Sequence, residues 1–137
     1  PRLTSHTMLI YKTRQFDKWA FKEGLTDQVL KTAITEIENG LIDADLGGHV
    51  FKKRVALPGR SKSNGARTLL AYQQGDRAFF IYGFAKNERD NIDDKELQNL
   101  KKLAAIQLGL TPEQLGYALR EGKLIEVNHE PTAEDVT

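Results

Sequence analysis

Six basic side chains, Lys52, Lys53, Arg54, Arg60, Lys62 and Arg67, lie between Leu46 and Gly75 with no acidic residue among them, and Pro58, Gly59 and Gly65 punctuate the run. Guanidinium and ammonium groups donate charge-assisted hydrogen bonds to phosphate oxygens, and in this stretch no neighbour along the chain competes for them. The charge is segregated: the chain has 20 basic and 19 acidic residues, so outside the run 14 bases stand against 19 acids. Nucleic acid is the partner that this pattern suggests first. The plain alternative is a solvated strand face, and charge counting alone does not separate the two.

A second chemical segment follows. Phe79, Phe80, Ile81, Tyr82, Gly83 and Phe84 run directly into Lys86, Asn87, Glu88 and Arg89. Aromatic rings stack bases and cations beside them hold phosphates. Phe79, Phe80 and Ile81 read equally well as core, which leaves Tyr82 as the undecided aromatic. Glu88 stands to orient a neighbouring Arg, or to cap or pair at the entrance of the next helix. The chain has no cysteine, which excludes disulfides, thiolate catalysis and a Cys-based zinc site. His6, His49 and His129 are scattered without metal-ligand spacing, so neither a metal nor another cofactor is expected. His49 follows two glycines at a strand start and reads as exposed rather than catalytic.

These residues need elements to position them. At 137 residues and 39% hydrophobic content, one domain with a sizeable core is expected. Residues 9–12 read as a short strand, and residues 16–23 as a helix with Phe16, Trp19 and Ala20 on one face. Gly24 stops that helix, Thr26 or Asp27 caps the next, and Val29, Leu30, Ala33, Ile34 and Ile37 continue an apolar stripe to Asn39 and Gly40. Strands are expected over 49–57, 66–73 and 78–84, the last two joined at Gly75 by a tight hairpin. Their sequential pairing makes an antiparallel meander in which Lys52 and Lys53 point to opposite faces. Asn91 or Asp93 starts a helix through Leu108, and Thr111, Pro112, Glu113 and Gln114 open a short one that ends near Gly122. Residues 1–7 read as a leader or disordered extension, 8–127 as a single domain with a helical addition from about 110, and 128–137 as a flexible tail. No apolar run approaches membrane-spanning length and residues 1–7 lack the apolar centre of a signal peptide, so a cytoplasmic protein without membrane association is expected.

The run from Lys53 through Pro58, Gly59, Arg60, Ser61, Lys62, Ser63, Asn64, Gly65 and Ala66 to Arg67, followed by Tyr82, Gly83, Phe84, Ala85, Lys86, Asn87 and Glu88, resembles the RelE/HigB-type toxins of bacterial toxin-antitoxin systems. These belong to the wider RelE/ParE superfamily. The resemblance covers residues 9–108 roughly, and the last thirty or so look like an addition to the minimal toxin. It implies a small α+β RelE-like fold: an N-terminal strand and helical hairpin packed on an antiparallel β-meander, with C-terminal helices. It also implies an mRNA endonuclease that acts in the ribosomal A site, contacting the ribosome and its 16S rRNA, and that a cognate antitoxin holds inactive.

Such an enzyme can work without metal, using the 2′-hydroxyl of the RNA as nucleophile. By resemblance, Arg54, Arg60, Lys62, Arg67 and Lys86 are carried over as catalytic phosphate and transition-state contacts, and Lys53, Tyr82, Asn87 and Arg89 as RNA-binding residues. Family members differ in their acid-base residue, some using a Tyr or His near the end of the minimal domain. This chain has neither between Arg89 and Leu108, which leaves Tyr82 and His49 as the available groups. Two other classes fit parts of the pattern: a ParE-like inhibitor of DNA gyrase, against which the dense cation cluster argues, and a non-enzymatic RNA-binding module.

Overall fold

Strand-forming residues in the middle of the chain build three long neighbours: β3 (Val50–Val55), β4 (Ala66–Tyr72) and β5 (Arg77–Ala85), paired antiparallel in sequence order. The computed structural model describes residues 8–127. On one side β2 (Ala44–Asp45) pairs with β3; on the other β1 (Leu9–Thr13) lies parallel to β5, and β6 (Leu124–Glu126) closes antiparallel to β1. The resulting six-stranded sheet has the order β2-β3-β4-β5-β1-β6. Every residue of β4 is buried, because this central strand is covered on both faces and so shows no polar alternation.

Two helices cover one face. α1 (Arg14–Glu23) starts where Thr13 Oγ1 accepts from the Phe16 amide at 3.1 Å, and stops at Gly24, whose φ of 80° is the left-handed geometry of a helix stop. α2 (Asp27–Glu38) is capped by Thr26 and buries Leu30, Ala33, Ile34 and Ile37. Together they pack on Val55, Ala66, Leu70 and Phe80. The other face carries Val50, Leu69, Ala71, Phe79 and Phe84 under α3 (Asp94–Leu108) and α4 (Pro112–Arg120). Both of these helices begin with a capping box, Asp93 with Glu96 and Thr111 with Gln114.

The α+β fold expected from the sequence is therefore present, with three additions. β1 joins the sheet in parallel instead of standing apart from the meander. Residues after 110 form a helix and an edge strand, with the Val127 amide donating to Ile10 O at 2.9 Å, so this segment completes the sheet and is not helical alone. A β-bulge between Leu69 and Leu70 leaves Ile81 without a direct partner on β4. The leader expected over 1–7 and the tail expected over 128–137 lie outside the described residues.

Candidate active site

Arg60, Asn64, Lys86 and Asn87 line one open cleft of about 540 Å³. Two connections supply them: the loop between β3 and β4, which contains a 3-10 turn (Lys62–Asn64), and the chain just past β5. The Lys86 amide donates to Gly65 O at 3.1 Å and holds the two connections together. Gly65 is required there. A Cβ would overlap the Val55 carbonyl oxygen and lie 3.1 Å from both Ala56 Cα and Leu57 N. Arg60 and Lys86 are exposed, and neither side chain makes a hydrogen bond or ion pair among the described residues.

The strands bring Arg54 opposite Arg67, and Arg67 opposite Phe84, which packs under α3, while the half-exposed Arg54 also borders a cavity beside α2. Arg67 is only 6% exposed, and its Nη1 donates to the Lys62 carbonyl at 3.4 Å, tying β4 to the 3-10 turn. Arg54 is compensated. Its amide donates to Asp43 Oδ2 at 2.6 Å, and its Nε stands 3.7 Å from Asp43 Oδ1.

Lys53 and Lys62 turn the other way. Lys53 Nζ stands 2.9 Å from Glu36 Oε1 and donates to Leu41 O at 2.9 Å, while Lys62 Nζ donates to both Glu36 oxygens at 2.8 and 2.9 Å. Hydrogen bonds from Lys62 and then Lys53 hold the Glu36 carboxyl below the usual carboxylate range, against the opposing effect of burial. The expectation that this basic run meets little internal competition thus fails for three of its members. Asp43 and Glu36 come from 11 and 26 residues away, beyond any local charge count. Arg54, Arg67 and Lys62 are not preformed around one phosphate: Arg54 and Lys62 border a shared cavity beside α2 but are held by Asp43 and Glu36, while Arg67 is buried and donates to the Lys62 carbonyl.

Arg89 is fully engaged. Its Nη1 donates to the Tyr82 hydroxyl and to Glu96 Oε2, both at 3.1 Å, its Nη2 to Glu96 Oε1 at 2.7 Å and its Nε to Asn91 O at 2.9 Å, with the guanidinium 5.6 Å from the Phe84 ring centroid. The hydrogen bond to Glu96 pushes the Arg89 pKa up, and its counterpart lowers that of Glu96 to about 2. Arg89 thereby braces the start of α3 against β5. Glu96, not Glu88, is the carboxylate that orients it. His49 sits at an exposed turn with φ 65°, at the end of β3 remote from the loop that carries Arg60.

Residues 8–127 match the model of the family described as the RelE toxin of the RelE/RelB toxin-antitoxin system. The chain belongs to this family. No individual curated protein matches it.

As a RelE-family toxin it has an antitoxin for a partner. No helix among the described residues is long and apolar enough to cross a membrane. Three residues of the toxin's surface had nothing in the sequence that singled them out as part of the site. Asn64 lies in a Ser, Asn and Gly loop that reads as a turn, and its place in the cleft appears only once Lys86 is docked on Gly65. Glu36 sits on the polar side of an amphipathic helix stripe, and Asp43 in a connecting loop; both read as solvated until β3 packs against them.

Proposed function

We propose that this toxin is a metal-independent endoribonuclease that cleaves mRNA in the ribosomal A site. The 2′-oxygen attacks the adjacent phosphorus, the bond from phosphorus to the 5′-oxygen breaks, and the products are a 2′,3′-cyclic phosphate and a 5′-hydroxyl. The 2′-hydroxyl gives up its proton and the departing 5′-oxygen takes one. One observation carries the reading: Arg60 and Lys86 share a cleft and have no carboxylate partner among the described residues, although Arg54, Lys53 and Lys62 nearby each have one. Unpaired cations in a cleft are free to take phosphate oxygens and the charge that grows on them as the phosphorane forms. Asn64 and Asn87 add neutral donors beside them, and Arg67 holds the loop in register from below. Mapping RNA ends after brief expression tests this. The expected result is growth arrest with cuts inside translated mRNAs that carry 5′-hydroxyl ends, and purified protein that requires programmed ribosomes to cut. Arrest with intact mRNA and blocked gyrase supercoiling would instead establish the gyrase-inhibitor class, and RNA retention without cutting the binding-module class.

A further inference from the structure

The four residues that leave β5 divide two concavities. Lys86 and Asn87 line the cationic cleft; Glu88 and Arg89 line a second one of about 430 Å³, walled by Gln15, Phe16 and Trp19 of α1 and by residues 81–84. This second space exists because β1 pairs with β5 only from Arg77 to Phe80 and then turns into α1, so that the rest of the β5 edge has a helix beside it in place of a strand. Gly83 lets the wall stand. A Cβ there would overlap the six-membered ring of Trp19, which lies directly on the strand backbone and 5.4 Å from the Phe16 ring.

The chemistry of the space is specific. Its walls are aromatic and aliphatic, and its volume falls in the range of small-molecule sites, roughly 300–1,000 Å³. Two polar groups border it without a side-chain partner among the described residues, the Gln15 amide and the Glu88 carboxylate. Arg89 does not neutralise Glu88, since its donors go to Glu96, Tyr82 and Asn91. A carboxylate without a side-chain partner among the described residues repels anions, so its fitting ligand is a group rich in hydrogen-bond donors.

We propose that this pocket receives a nucleobase of the RNA next to the cleaved phosphate, and that Glu88 selects guanine. Guanine presents N1–H and the N2 amino group side by side, which a carboxylate accepts as a pair, and its O6 can accept from the Gln15 amide. Adenine, cytosine and uracil each offer a single donor position beside an acceptor, which would face the carboxylate unfavourably. The placement of the base next to the cleaved phosphate rests on the endoribonuclease reading; base selection does not.

Trp19 is the sole tryptophan of the chain and reports the pocket directly. Titration of the intact protein with guanosine, adenosine, cytidine and uridine 3′-monophosphates, with fluorescence corrected for absorption, should show guanosine saturating at a concentration about tenfold below the others, the scale of one bidentate base contact. Glu88→Gln, at an exposed turn where folding is not at risk, should erase that preference while weak binding of all four remains. In mapped RNA ends the same variant should lose guanine beside the cut, whereas Arg60→Ala should lose the cuts themselves. Equal responses to the four nucleotides, no response to any, or an unaltered preference in Glu88→Gln would each overturn the proposal. Guanine selection in a protein that cuts no RNA would uphold the pocket and reject the nuclease; cutting without guanine selection would do the reverse.

Discussion

Replacing Glu36 by Gln separates two ion pairs that share one carboxylate and differ in burial. The Lys53 side chain is 6% exposed, Glu36 23% and Lys62 52%. Losing the carboxylate strands the Lys53 ammonium with only the Leu41 carbonyl as a strong acceptor. Removing one member of a fully buried pair costs about 3–5 kcal/mol; with Glu36 partly wet, about 1–3 kcal/mol is expected. Lys62→Ala, which breaks the exposed arm alone, should cost about 0–1 kcal/mol. Urea denaturation at neutral pH with unchanged m-values measures both. Adding Lys53→Met to Glu36→Gln should recover most of the loss, because an apolar side chain of similar length removes the stranded charge. Function should move in the opposite direction to stability. Lys62, released from Glu36, becomes available to phosphate, so Glu36→Gln should steepen the salt dependence of RNA binding by about 0.7 in log–log slope. A Lys62→Ala loss as large as that of Glu36→Gln, or no recovery in the double variant, would refute the division of roles.

Within the cleft, Arg60→Ala and Lys86→Ala should each slow single-turnover cleavage by roughly 100- to 1,000-fold with stability nearly unchanged, as expected for transition-state donors. Arg67→Ala should lower both cleavage and the unfolding midpoint, since Arg67 is buried and holds the Lys62 carbonyl; thermal melts run beside the kinetics distinguish the two patterns. Gly65→Ala should destabilise by about 1–3 kcal/mol or more through its overlap with the Val55 carbonyl and should impair cleavage with it, because the Lys86 docking point moves. Glu96 has a folded-state pKa of about 2, below the ordinary carboxylate value of about 4.3, so the unfolded chain binds more protons between these values. Its contribution should be complete above about pH 5 and be lost as pH falls toward 2. Acid titration followed by circular dichroism should show a shallower decline of stability across that window in Glu96→Gln than in the unaltered protein.

Helix limits were legible in the sequence because their causes are local. Thr26 and Asp93, each one of two caps that the sequence offered, and Thr111 with Pro112 and Gln114 satisfy amide groups within one turn, and the apolar stripe of α2 is complete at helical spacing, whereas α1 starts at Arg14 behind the cap Thr13, two residues before the expected start. The three long strands and the opposite faces of Lys52 and Lys53 were legible for the same reason, since side-chain direction alternates residue by residue. β2 and β6, of two and three residues, were not: segments this short show no period and become strands only when β3 and β1 offer them a ladder. The basic run and its partner motif after β5 were visible as types and spacing, and they carry the family resemblance that the match over residues 8–127 bears out. Which of those cations are available to a ligand was decided elsewhere. Ion pairing depends on distance in space, and the carboxylates that meet Lys53, Lys62, Arg54 and Arg89 arrive from α2, the loop before β2 and α3. The sequence by itself determined that positive charge would gather on one hairpin; only the tertiary structure left Arg60 and Lys86 without a partner among the described residues, because packing brings three of their neighbours within about 4 Å of acids and leaves these two in an open cleft where water is the competitor.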